Sequence, residues 1–245
     1  MAKKHTFEAL RRIFYWPIKL LFPVRVVGKE NLPVPEKIIT VTNHLSMLDI
    51  IVIGVNVPNY RHFVAKKELE KSKFFKIILS WCGVITIDRG KADLGAIKKI
   101  ISTLRKGDGI SIFPEGTRKR DDDVENMNEV KAGTAMFALK GGSELVPIMI
   151  YRRQKVFGKN YIYVAPQFSV AEFGMGKIDA TAIALTAEKI ERKMRQAQNY
   201  LNDYVENKRW KEIKKEKKRV KKLQNSYAKQ HKKGLKVLKN TLGAI

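Results

Sequence analysis

A chain of 245 residues with 44% hydrophobic content is long enough for one sizeable core with appendages, which makes a single catalytic domain the default. Forty-nine Lys and Arg against 24 Asp and Glu give a formal net charge of +25, so the natural partner surfaces carry phosphate: nucleic acid, anionic lipid or a phosphorylated substrate. The single cysteine, Cys82, excludes an internal disulfide and a CxxC metal pattern, and fits a reducing, cytosol-facing protein.

The N-terminal stretch "TFEALRRIFYWPIKLLFPVRVVG" is rich in aromatic and aliphatic residues, but Arg11, Arg12 and Lys19 interrupt it short of the roughly 18 uncharged residues of a spanning helix. Charge and Pro17 also break it as a signal peptide, and no small-residue cleavage site follows. The expectation for residues 1–28 is an amphipathic segment in a lipid headgroup layer, carried by Phe7, Leu10, Phe14, Trp16, Leu20 and Leu21. The alternative is a helix packed on the protein's own core.

Next comes "KIITVT", a β-branched run that predicts a short buried strand ending near Thr42. It leads into "NHLSMLD", which sets His44 and Asp49 five positions apart. On one ideal helix five steps of about 100° leave two side chains roughly 140° apart, so the pair can cooperate only if His44 lies outside the helix. Ser46 followed by Asp49 and an apolar run matches a capping box, which predicts a helix from Ser46 with His44 in the turn before it. By position alone, Asp49 is better explained as a carboxylate drawn to the orphan N–H groups of a helix start.

The rest of the central chain alternates. "RHFVA", "GVITID", "GISIFP", "ELVPIMIYR" and "NYIYVAPQF" predict strands, and residues 68–81, 92–106, 132–141 and 180–206 predict helices. This rhythm gives the fold class α/β, a single domain over residues 29–206 with a central mixed sheet covered by helices. Two strands end in "IDRG" and "FPEGTRKR", and ligands of α/β sheets gather where strand ends open into loops. Arg89 and Arg118 can fork onto phosphate oxygens, Gly116 lets backbone N–H groups approach an anion, and Thr117 adds a hydroxyl. Glu115 would repel a phosphate, so it is expected to hold an arginine, a substrate hydroxyl or a loop salt bridge.

After residue 206 the composition shifts, and residues 207–245 form a basic tail. From Lys208 to Lys239 there are 15 Lys and Arg against Glu212 and Glu216, a net of +13 and about half of the whole excess. Trp210, Ile213, Val220 and Leu223 punctuate it at helical spacing, so a helix on an anionic membrane and a solvated extension both remain open. A nucleic-acid arm ranks behind them and leaves the central motifs unexplained, so no nucleic-acid partner is expected. No GxSxG elbow anchors a serine hydrolase, no second histidine completes an H-E-x-x-H metal site, and apolar neighbours of Cys82 favour an inert thiol.

In this order "NHLSMLD", "IDRG", "FPEGTR" and "LVPIMI" resemble the four sequence blocks of the glycerolipid acyltransferases, in particular the bacterial 1-acylglycerol-3-phosphate acyltransferase branch. "KAGTAMFALKGG", running into "LVPIMI", strengthens the resemblance, which covers the central domain and not the tail. It implies transfer of an acyl chain from a thioester, acyl-CoA or acyl carrier protein, to the free hydroxyl of a lysophospholipid acceptor, lysophosphatidic acid by preference. It implies His44 as general base and Asp49 as its orienting partner, with no metal and no cofactor beyond the thioester co-substrate. By the same carry-over Arg89, Gly116, Thr117 and Arg118 hold the acceptor phosphate, and Glu115 positions the acceptor or braces the arginines. Asn43 lies near the reacting centre, and Lys131 with Gly133 adds to the phosphate site. Val146, Pro147, Ile148 and Met149 line the acyl path or form a core strand. The expected location is the cytoplasmic face of the cell membrane, peripheral or monotopic, on an anionic surface. A catalytically silent membrane-binding protein of the same fold is the remaining alternative.

Overall fold

The computed structural model describes residues 2–32, 34–88, 93–118 and 127–242. Helix α1 (Ala2–Leu21) leads into strand β1 (Val24–Val27), followed by β2 (Ile38–Val41), α2 (Asp49–Asn56), β3 (Arg61–Lys66), α3 (Lys73–Trp81) and β4 (Ile85–Ile87). Then come α4 (Leu94–Arg105), β5 (Gly109–Ile112), α5 (Ala132–Gly141), β6 (Glu144–Ile150), β7 (Asn160–Val164), α6 (Ala180–Glu206) and α7 (Arg209–Leu242). The chain divides into two compact units, 1–201 and 202–245.

In the first unit seven strands form one mixed sheet in the order β1-β7-β6-β2-β5-β3-β4. Neighbours pair in parallel except β6 and β7, so β1 and β7 run against the other five. Strand β2 sits at the centre, between β5 and β6, and every one of its four residues is buried. A strand covered on both faces has no polar side to present, which is why "IITV" is apolar or β-branched throughout. Ile38, Val52, Ile53, Phe63, Val146, Ile148, Ile162 and Val164 join in one buried cluster, with Leu45 and Phe113 at the strand ends.

The helices carry their local reasons. In α4, Ala96, Ile100 and Leu104 recur every fourth residue and are buried, while the Asp93 carboxylate caps the start by accepting Ala96 N–H at 3.0 Å. Helix α5 closes on Gly142, whose φ of 58° is the left-handed turn that glycine adopts without a Cβ clash.

Two expectations need correction, those for residues 24–27 and for the start of the helix after β2. Residues 24–27, placed with the N-terminal segment, belong to the sheet as β1, which pairs with β7. Helix α1 packs against α2 and α3, yet leaves Ile13, Phe14, Trp16 and Leu20 more than half exposed. The helix expected from Ser46 begins at Asp49, with Leu48 at its cap position and no side-chain cap bond. The reason lies in the bonding of the Asp49 carboxylate, described below. Among the described residues, no helix is long and apolar enough to cross a membrane.

In the second unit α7 is a long helix on which Ile213, Val220, Leu223 and Tyr227 are all exposed. Steps of seven, three and four residues put these four on one helical face.

Candidate active site

The five strands that share a direction open their C-terminal ends on the same edge of the sheet, and the candidate residues collect there. His44 follows the central strand β2, Phe113 follows its neighbour β5, and Gln154 follows its other neighbour β6. The site is therefore assembled across three adjacent strands.

His44 Nδ1 lies 2.8 Å from Asp49 Oδ2, and the Asp49 side chain is fully buried while that of His44 keeps 15% exposure. A carboxylate can only accept, so Nδ1 carries the proton and Nε2 is left as the basic nitrogen. The imidazole stacks on the Phe113 ring, with centroids 4.1 Å apart and planes 23° from parallel. The buried charge is met by donors, as it must be to avoid a large desolvation cost. Oδ2 also accepts Leu45 N–H at 2.7 Å and Ser46 N–H at 2.8 Å, while Oδ1 accepts Gln154 Nε2–H at 2.8 Å. By drawing in the N–H groups of Leu45 and Ser46, Asp49 folds residues 45–48 into a turn, and this delays the helix by three residues.

Asn43 is buried and spends its amide on the backbone of Ile150: Nδ2 donates to the carbonyl at 2.8 Å and Oδ1 accepts the N–H at 2.8 Å. A further bond from Nδ2 to Gln198 Oε1 measures 3.2 Å. Its geometry is that of a clamp between β2 and β6.

Beside Phe113 lies a cleft of about 570 Å³. Its walls include Lys66, Asp88, Asp93, Phe113, Gly116, Thr117, Lys131 and Gly133. Gly116 has φ of 78°, a left-handed turn in which its N–H closes onto the Phe113 carbonyl at 3.1 Å. Lys131 precedes the first residue of α5 and donates its backbone N–H to the Pro114 carbonyl at 3.0 Å, so the N-terminus of that helix faces the cleft. Helix N-termini, with orphan N–H groups and positive dipole ends, favour anions. Asp93 is held below the usual carboxylate range by the N–H groups of Ala96 and Asp88.

Thr117 and Arg118 are exposed at the cleft end of this loop, whereas Arg89 lies outside the described residues. Glu115 is buried and its Oε2 accepts Asn128 N–H at 3.0 Å, a bond across 13 positions of the chain. Val146, Pro147, Ile148 and Met149 are buried in β6, with Pro147 opposite Val41 of β2, so they build the sheet core and are not part of the cleft wall.

His62 is occupied elsewhere, its Nδ1 against the Gly83 carbonyl at 2.6 Å and the Tyr60 hydroxyl at 3.2 Å. Burial pushes the Tyr60 hydroxyl up to about 12 and raises the Cys82 thiol, which suits an unreactive cysteine. Gln154 and Phe113 were missed as site residues. Phe113 stands directly before "PEGTR", which could have flagged it; Gln154, an uncharged polar residue in "YRRQK", gave only a faint signal.

The chain matches the Acyltransferase family over residues 23–151, a span that takes in His44, Asp49, Phe113 and the whole cleft-forming loop. A 1-acyl-sn-glycerol-3-phosphate acyltransferase from Borreliella burgdorferi is 33% identical over 140 residues, 56% of this chain and 55% of that protein. One from Bacillus subtilis is 34% identical over 125 residues, 51% of this chain and 60% of that protein. The chain thus spans little more than half the length of these relatives. The fold is shared with the crystal structure of the 1-acyl-sn-glycerophosphate (LPA) acyltransferase PlsC from Thermotoga maritima, at a TM-score of 0.58 and 24% identity over 81% of this chain and 79% of that one. With the bonded His44–Asp49 pair and residues 113–118 inside the matched span, the chain belongs to the Acyltransferase family.

Proposed function

We propose that this protein is a 1-acyl-sn-glycerol-3-phosphate acyltransferase, which moves an acyl chain from a thioester to the free hydroxyl of lysophosphatidic acid and forms phosphatidic acid. The observation that carries the reading is the 2.8 Å bond between His44 Nδ1 and the buried Asp49 carboxylate, which leaves Nε2 as a base at the open edge of the sheet. His44 Nε2 takes the hydroxyl proton as the oxygen attacks the thioester carbonyl, and Asp49 stabilises the imidazolium. The tetrahedral intermediate collapses, the carbon–sulfur bond breaks, and the thiolate takes the proton back from His44. No prosthetic group is needed.

The cleft beside Phe113 suits the acceptor phosphate. The start of α5, the Lys131 side chain and the Thr117 hydroxyl offer donors to an anion, the Gly116 turn leaves room for it, and Arg118 adds charge next to Thr117. Arg89 completes the set by sequence position. Membrane contact is read from α1, whose exposed Phe14, Trp16 and Leu20 stand among Arg12 and Lys19, and from the basic, one-sided apolar α7. The chain would then work peripherally at the anionic cytoplasmic face of the cell membrane.

The test is acyl transfer by purified protein from acyl-CoA and from acyl-acyl carrier protein to lysophosphatidic acid, following thiol and lipid product together. Matched thiol and phosphatidic acid support the reaction and identify the donor. Thiol without acylated lipid points to a thioesterase, and silence with both donors leaves a membrane-binding protein of this fold.

A further inference from the structure

We infer that Gln154 is a positioning residue for the catalytic pair, holding the Asp49 carboxylate in the plane that keeps the proton on His44 Nδ1. The inference rests on His44 being the base.

Asp49 Oδ2 is saturated, since it receives the His44 imidazole N–H and the backbone N–H groups of Leu45 and Ser46. A carboxylate held by one oxygen can still rotate about its own bond, and rotation would pull Oδ2 out of line with the imidazole. The second oxygen decides the plane. Oδ1 faces Gln154 Nε2 at 2.8 Å and the Ser46 hydroxyl at 3.2 Å. The orientation of the Gln154 amide follows from chemistry, because only its NH₂ end can donate to a carboxylate. Its carbonyl then accepts the Ser46 hydroxyl proton at 2.6 Å, and Ser46 Oγ in turn accepts Leu48 N–H at 3.1 Å. Aspartate, glutamine, serine and the turn backbone form a chain of bonds in which the single Ser46 hydroxyl proton goes to its nearer acceptor, Gln154 Oε1.

Gln154 reaches this position from the opposite side of β2, four residues past the end of β6. The pairing of β2 with β6, and the clamp from Asn43 to Ile150, set the distance between the two loops. Its contacts are with Asp49 and Ser46, so it acts on the reaction through the imidazole's partner.

The substitution that tests this is Gln154→Met, which keeps length and volume and removes both bonds. In acyl transfer to lysophosphatidic acid, kcat falls about tenfold, as expected for a small misplacement of a catalytic group, while KM stays within twofold. In an Asp49→Asn background the same substitution lowers kcat by less than twofold, because the group it acts through is already lost. ¹⁵N NMR of the imidazole at slightly alkaline pH, with His44 assigned from the His44→Asn spectrum, shows the Nδ1–H tautomer in the wild type and a rise in Nε2–H tautomer in Gln154→Met. Unchanged kcat with an unchanged tautomer overturns the assignment, and so does an equal loss of kcat in both backgrounds. If the wild type transfers no acyl group the proposed reaction fails, and the tautomer shift still decides the role of Gln154.

Discussion

Asn43 closes both ends of its side-chain amide on one residue, Ile150, 107 positions away. The pair works as an extra rung between β2 and β6, placed one residue before His44. Replacing Asn43 with Ala orphans a buried N–H and a buried carbonyl, each worth about 1–3 kcal/mol. The expected loss is about 2–4 kcal/mol of stability by urea unfolding, and at temperatures where the variant is folded its KM values match the wild type. A raised KM with unchanged stability would return Asn43 to the substrate site.

His44→Ala removes the base but leaves the Asp49 turn with its backbone donors. Turnover falls about 10²–10⁴-fold, the range typical of a lost general base, with little change in the unfolding midpoint. Retained turnover in steady-state assays would end the general-base role.

Arg118 is exposed at the rim of the cleft and contributes charge without supporting the fold. Arg118→Ala raises KM for lysophosphatidic acid several-fold and leaves kcat within about twofold, because ground state and transition state share the phosphate contact. A matching rise in KM for the thioester donor would move Arg118 to the other substrate.

Asp93 caps α4, and its carboxyl is held low by the N–H groups of Ala96 and Asp88. A carboxyl depressed in the folded state contributes stability above its unfolded value, and the contribution is lost as pH falls through the folded one. Asn also caps but does not titrate. Asp93→Asn, with one acceptor oxygen for two N–H groups, therefore lowers the urea midpoint at pH 7 and loses less of it than the wild type as pH falls below about 4. Parallel loss in the two proteins would remove Asp93 from the acid response.

Deleting residues 208–245 removes α7 with its exposed Ile213, Val220, Leu223 and Tyr227. Binding to anionic vesicles weakens steeply, whereas turnover on detergent-dispersed substrate changes little. Unchanged vesicle sedimentation would leave α7 a solvated extension.

The His44–Asp49 contact was legible because both members lie within seven consecutive residues, between a β-branched run and an apolar helix. The boundary of that helix was not: Asp49 does accept the Ser46 N–H as in a capping box, but it accepts the Leu45 N–H as well, and regular helix starts only at Asp49. The βα rhythm gave the sheet's class, but β1 was hidden in an apolar segment where "VRVV" has no turn signal of its own. The long-range bonds were beyond local pattern altogether. Gln154 meets Asp49 across 105 positions and Asn43 meets Ile150 across 107, distances fixed by which strands pair. Val146 and Ile148 carry no mark that separates a tunnel wall from a core; in the fold both lie in the buried cluster around β2 and β6.

Strands β5, β2 and β6 are neighbours in space while their site residues stand at positions 113, 44 and 154. During synthesis the first 118 residues can bring the imidazole, its carboxylate and the Phe113 ring together on four of the five parallel strands, β2 to β5. The Gln154 support arrives only after β6 has emerged and inserted beside β2, a non-local closure that is slow to form. The hydrogen-bond network around Asp49 is therefore completed late in the life of each new chain, once the residue that meets Oδ1 has been made.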